Sequence, residues 1–233
     1  MEEEIRKLIS INSWFISLQI ITMLAFLGGT AFLYTDFQSL KQSIAASSNA
    51  GRMPYISEEI MNWDEYVRGH NAARGDTAAE IVVVEFTDFQ CPYCKKFNDD
   101  NIRNQLLSKY GERIRLVFKH YPLEAIHSEA KNAAVAAQCA LREGKFWEIK
   151  DVFFNNPDKL STEFLIEAGK SLGLGRQYAA CVTNQETLAE VEQDIQDGMQ
   201  VGVQGTPAFL VNGKLTMGAI PLAQFESIIG GLD

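Results

Sequence analysis

Apolar and polar positions change their spacing several times along this chain. Between Lys7 and Asp36 no charged side chain occurs, and Trp14-Phe15-Ile16 through Ala31-Phe32-Leu33 is mostly apolar. About 20 helical residues rising about 1.5 Å each cover the hydrocarbon core of a bilayer, so residues 11–34 are expected to form a transmembrane anchor. Trp14 and Tyr34, one near each end, suit the two membrane interfaces. Asn12, Ser13, Ser17, Gln19 and Thr22 dilute the stretch, which leaves a buried soluble helix and a cleaved signal peptide as alternatives. The small-x-small site Ser48-Asn49-Ala50 lies well past Leu33, and Met1-Glu2-Glu3-Glu4 is an acidic start unlike a signal, so an uncleaved anchor is expected. Residues 1–10 then form a short tail and residues 35–56 a linker, in which Phe37, Leu40 and Ile44 recur at helical spacing.

Beyond the linker the pattern becomes that of a folded domain over residues 57–233. Ser57 is placed to cap a short helix through about Val67, and Gly69 to Asp76 reads as a loop. Ile81-Val82-Val83-Val84-Glu85-Phe86 is a near-continuous β-branched run, the mark of a central strand covered on both faces. A helix is expected next, with Pro92 in its first turn and Gly111 after its last residue, Tyr110. Ile114 to Lys119 gives a second strand, so strand, helix and strand predict a parallel pair. From about 123 to 200 the spacing is helical, punctuated at Gly144, Asn155-Asn156-Pro157 and Gly173 to Gly175, which predicts four or five helices. Strand signals return at Pro207 to Val211 and Lys214 to Met217, joined by Asn212-Gly213, a pair suited to a type I′ turn. A helix over Leu222 to Ile229 closes the pattern. The expected class is α/β: a βαβ unit and a ββα unit separated by an inserted α-helical subdomain.

Composition narrows the function classes. A chain of 233 residues, 46% hydrophobic, holds one globular domain plus an appendage. A net charge of -9, with Lys and Arg scattered, argues against nucleic acid as a partner. All four cysteines follow the apolar stretch, which fits an oxidising compartment for the C-terminal part and a cytoplasmic N-terminus.

Cys91-Pro92-Tyr93-Cys94 opens the expected first helix. At a helix N-terminus unpaired N–H groups and the dipole favour a thiolate, so Cys91 is expected exposed, with a lowered pKa, as the attacking and leaving sulfur. Cys94, one turn inside, is the resolving thiol. A zinc site needs two more ligands at comparable spacing, and His120 and His127 stand apart, so neither metal nor other cofactor is expected. Cys139 and Cys181 lie at the two ends of the helical insert. With Cys91 and Cys94 paired, they most simply make a structural disulfide worth about 4 kcal/mol in the loop-entropy model; two buried free thiols are the alternative.

Glu85-Phe86-Thr87-Asp88-Phe89-Gln90-Cys91-Pro92-Tyr93-Cys94, with Gly205-Thr206-Pro207 and Val211-Asn212-Gly213, resembles the DsbA-like thioredoxin family of thiol-disulfide oxidoreductases. His127, the Ala-rich helix, Cys139 and Lys145-Phe146-Trp147 resemble that family's helical insert. The resemblance implies a thioredoxin-like fold and a cis Pro207 beside the cysteine pair, with the Thr206 backbone free to pair with an extended substrate strand. Thr206, Pro207, Pro92 and Tyr93 are then the substrate-binding residues. It also implies that Glu85 is a buried acid beneath Cys94 and a proton acceptor for it; an exposed strand end is the alternative. His127 reads as a helix-start packing residue. Tyr93 stands where the best-known oxidase of the family has His, and it cannot carry the charge that helps hold a thiolate.

These readings predict an enzyme that introduces disulfides into unfolded or thiol-bearing exported proteins. It would be anchored in the inner membrane with its catalytic domain outside the cytoplasm, and reoxidised by a membrane partner of DsbB or VKOR type. A reductase or isomerase of the same fold, and a non-catalytic metal-binding or assembly module, are the competing readings.

Overall fold

A computed structural model of the chain describes residues 66–67 and 69–231. The expected tail, transmembrane anchor and linker, and the start of the Ser57-capped helix, lie outside the described residues. Among the described residues no helix is long and apolar enough to cross a membrane.

Five strands form one sheet in the order β1-β3-β2-β4-β5. The strands are β1 (Ala72–Gly75), β2 (Ile81–Thr87), β3 (Ile114–His120), β4 (Ala208–Val211) and β5 (Lys214–Met217). β2 and β3 are parallel, with Ile81 opposite Ile114 and Thr87 opposite His120. The remaining pairs, β1 with β3, β2 with β4 and β4 with β5, are antiparallel. The central β2 is buried at six of its seven positions, as expected of an apolar β-branched run with neighbours on both edges. Asn212 and Gly213, with φ of 41° and 90°, make the tight β4–β5 turn that the Asn-Gly pair predicts.

Two expectations fail locally. Gly69 to Asp76 holds β1, a four-residue edge strand with Ala72 as its one buried position, too short and polar to show a period. The helix expected from Pro92 to Tyr110 is two: α1 (Pro92–Asp99) and α2 (Ile102–Tyr110). The break falls in Asn98-Asp99-Asp100-Asn101, short polar side chains that compete with helical hydrogen bonds, and Asn101 turns left-handed at φ 56°. Its side-chain oxygen accepts from Asn104 at 2.6 Å, which holds the turn.

The insert contributes α3 (Ala130–Arg142), α4 (Phe146–Asn155), α5 (Thr162–Ser171), α6 (Arg176–Asn184) and α7 (Leu188–Gln200); α8 (Leu222–Gly230) follows the hairpin. One side of the sheet buries Val83, Leu116 and Phe209 against Phe97, Leu106 and Phe225 of α1, α2 and α8. The other buries Val84, Phe86 and Leu210 with Val201 and Val203, past the end of α7. A Cβ at Gly198 would lie 2.6 Å from the Tyr121 ring, so α7 reaches the end of β3 because that residue is glycine. The insert has its own core, which includes Phe146, Phe153 and Tyr178, and joins the sheet through Phe89 and Phe118.

Candidate active site

Where β2 ends and α1 begins, a short loop is held by the carboxylate of Asp88. It accepts from the backbone of Gln90 at 2.7 Å and of Leu123 at 2.8 Å, and His127 Nδ1 lies 2.8 Å away. The Asp88 carbonyl accepts from the Cys91 backbone at 3.2 Å. Gln90 ties the loop to the insert, donating to the Pro157 carbonyl at 3.1 Å and accepting from Glu129 N–H at 2.7 Å. His127 therefore braces the loop from the insert side, and Ala130, the first residue of α3, donates to its carbonyl.

Cys91 caps α1 and Pro92 takes its first turn. Both cysteines are free thiols. The Thr206–Pro207 peptide is cis, as the resemblance implies, and Cys91 Sγ donates to the Thr206 carbonyl at 3.2 Å. This loop covers the sulfur, so Cys91 is not exposed as expected but 4% accessible. Tyr93, in contrast, is 64% exposed, and Pro92 is exposed beside it. Pro207 is buried and Thr206 half-buried.

The two sulfurs titrate in opposite directions. A hydrogen bond from the Cys94 thiol does most to pull Cys91 down to about 6, against the opposing effect of burial. The Thr206 hydroxyl and the N–H groups of Cys94 and Tyr93 add smaller contributions, so the helix terminus helps but does not lead. Cys94 is pushed well above the ordinary thiol range, first by its complete burial and then by Cys91.

Glu85 is 5% accessible, so the alternative of an exposed strand end does not hold. Both of its oxygens receive Arg103 of α2, Nε at 2.7 Å and Nη2 at 2.5 Å. The groups that act on Cys94 include Cys91, Thr87 and the Asp88 backbone. Glu85 is the ion-pair partner of Arg103 in this geometry, and the Thr87 side chain is among the groups that lower Cys94. Thr87, Asp88 and Gln90 carried no role in the sequence reading, since a strand-end Thr and loop polar residues have no distinguishing period. Arg103 became a site neighbour through the break between α1 and α2.

In the insert Cys139 and Cys181 are joined as a disulfide that links α3 to α6, with Cα atoms 5.9 Å apart. Among the described residues no three His, Cys, Asp or Glu side chains are placed to hold a metal ion together.

Residues 68–230 match the family model described as Thioredoxin. The chain belongs to the thioredoxin family. Among solved structures, the chain superposes on a thioredoxin-like oxidoreductase from Silicibacter pomeroyi DSS-3 with a TM-score of 0.64 at 24% identity, over 74% of this chain and 98% of that one. It superposes on the thiol-disulfide exchange protein alpha-DsbA2 from Wolbachia pipientis with a TM-score of 0.65 at 19% identity, over 77% and 96% of the two chains. These likenesses concern the fold, a thioredoxin sheet with the DsbA-like helical insert. Among curated proteins it is 34% identical over 142 residues to the Na(+)/H(+) antiporter NhaA 3 of Salinispora tropica, covering 60% of this chain and 21% of the antiporter. The chain spans about a fifth of the length of the curated relatives it matches.

Proposed function

We propose that the chain is a thiol-disulfide oxidoreductase that oxidises pairs of thiols in exported proteins. The observation that carries this reading is the split titration of the pair, with Cys91 drawn down to about 6 and Cys94 pushed up. A thiol near 6 is a thiolate at neutral pH, which makes Cys91 a good leaving group toward an ordinary thiol near about 8.5. The solved structures that the fold resembles include proteins named for this chemistry.

A substrate thiolate attacks Cys91 Sγ, the Cys91–Cys94 bond breaks, and its electron pair goes to Cys94. The substrate's second thiolate then attacks the mixed disulfide at the substrate sulfur and Cys91 leaves as thiolate. Two electrons have passed from substrate to protein. An extended substrate strand would lie along the backbone at Thr206, with Tyr93 and Pro92 as the exposed surface next to it. A membrane quinone-linked partner of DsbB or VKOR type would reoxidise the pair, and the apolar stretch 11–34 would hold the domain at the outer side of the inner membrane, near both partners.

One observation favours the opposite direction of net transfer: Tyr93 is uncharged, so no imidazolium holds the Cys91 thiolate from within the motif. The reduction potential of the Cys91–Cys94 couple decides between the two, measured against glutathione and dithiothreitol buffers. A value near about -120 mV is expected for the oxidase, and one near about -270 mV would overturn it in favour of a reductase.

A further inference from the structure

Two buried hydroxyls of the site, Thr87 Oγ1 and Thr206 Oγ1, have no hydrogen-bond partner while both cysteines are thiols. A buried polar atom left unpaired carries a desolvation cost, so its place calls for an explanation. The Thr206 hydroxyl is among the groups that lower Cys91, as described above. Thr87 is 2% accessible and ends β2, two residues beyond Glu85 on the face that α1 covers. Its side chain is among the groups that lower Cys94, which is itself completely buried.

Cys94 must carry negative charge at two moments of any exchange through this pair. When an incoming thiolate attacks Cys91, the Cys91–Cys94 bond breaks and its electron pair leaves on Cys94. When Cys94 attacks a mixed disulfide on Cys91, the Cys91–Cys94 bond forms and the electron pair leaves on the departing thiol. Burial makes that charge costly, and Cys91 beside it adds to the cost. Both oxygens of Glu85 receive Arg103. Two donors remain, the Thr87 hydroxyl and the Asp88 backbone N–H.

We propose that the Thr87 hydroxyl is a catalytic hydrogen-bond donor to the Cys94 thiolate, used each time that sulfur leaves or attacks. The assignment rests on the exchange activity proposed above but not on its net direction, because the same charged Cys94 occurs in both. In the resting dithiol Cys94 is a neutral thiol, so the hydroxyl accelerates exchange without shifting its equilibrium at neutral pH.

The test compares Thr87→Val, which keeps the shape and removes the hydroxyl, with Thr87→Ser, which restores it. Stopped-flow rates of reduction of the full chain by glutathione and of reoxidation by oxidised glutathione are read at pH 7, with the equilibrium constant obtained separately. Thr87→Val is expected to slow both directions by the same factor, about 10- to 100-fold for one hydrogen bond to a charged sulfur. The equilibrium constant and the pH profile of Cys91 alkylation should stay as they are, and Thr87→Ser should recover the rates to within about threefold. Val rates within about twofold of the unsubstituted chain would overturn the assignment. So would a Ser variant as slow as Val, or a Val variant that loses thermal stability or moves the Cys91 profile, since each points to packing. Absence of any exchange in the unsubstituted chain would instead overturn the proposed function, and this role with it.

Discussion

Cys91 and Cys94 sit one helical turn apart, and their opposed titration ties redox state to pH. The folded dithiol holds Cys91 at about 6, below the ordinary value of 9.0. A depressed folded pKa gives stability that is fully present above the unfolded value and is lost as pH falls through the folded one. The reduced protein should therefore gain stability relative to the oxidised protein between pH 6 and pH 9, since the disulfide has no thiol to titrate. Urea midpoints of the two forms at pH 5.5, 7 and 8.5 check this; a constant gap between them would contradict the lowered Cys91. The cysteine pair was legible in the sequence because Cys-x-x-Cys between a buried strand and a proline-started helix has few other uses. Its energetics were not, because the cover over Cys91 comes from Thr206–Pro207, more than a hundred positions away. The Arg103 partner of Glu85 was not legible for a related reason. A buried acid beneath a cysteine can be recognised by position, but a partner arriving from another helix cannot.

At the scale of elements, the turn between α1 and α2 is the feature the sequence pattern concealed and the one that most reshapes the site. A straight helix from Pro92 to Tyr110 fits the start signal at Pro92 and the stop at Gly111, and neither marks the four polar residues at 98–101 as a break. Breaking there lets α2 present Arg103 to Glu85, with its guanidinium also 4.9 Å from the Phe97 ring and bonded to Asn98. Arg103→Met would strand the Glu85 carboxylate in a buried site. The expected loss is about 3–5 kcal/mol, and pairing the change with Glu85→Leu should recover most of it, because a buried pair replaced by apolar groups is often near neutral. Equilibrium urea unfolding of the two single variants and the double variant gives the coupling; additive losses would mean that the pair is not the unit it looks to be. The longer elements, β2, β3, the hairpin and the final helix, were legible with ends within a residue or two, since each carries a buried face of its own. β1 was not, since a four-residue edge strand is specified by the open edge of β3 rather than by its own side chains.

Across the whole domain, the site lies where the sheet meets the helical insert, and that seam is polar as well as apolar. Phe89 packs on Phe118 from the sheet and on Phe153 and Phe154 from α4. Around it Lys119, 0% accessible, bonds to Asp194 at 2.9 Å and to Asp197 at 2.7 Å, both on α7. His120 follows on β3, its backbone N–H donating to Asp194 at 2.9 Å and its Nε2 lying 3.3 Å from Gln138 of α3. Gln138 gives its own N–H groups to the His70 carbonyl and to Glu190, so its oxygen faces the ring and Nε2 carries the proton. Burial drives the His120 pKa down to about 4 from 6.5; Asp194 and Gln138 pull it back, while His70 and Lys119 add to the fall. Because the folded value is the lower one, the unfolded chain binds more protons between pH 6.5 and 4, and stability must fall as acid is added across that window. The loss is on the order of 3 kcal/mol for this one ring. Asp194 acts lower on the scale. Burial opposes its ionisation, but the bond from His70 and the charge of Lys119 outweigh it and hold it below its ordinary 3.8, so its contribution is lost below pH 4. Unfolding midpoints in urea, taken from pH 7 to pH 4.5, should therefore drop steeply for the unsubstituted domain and more gently for His120→Gln, the two curves converging as the acid end is approached. Parallel curves would show that the acid sensitivity of the seam lies elsewhere than in the imidazole that joins β3 to the insert.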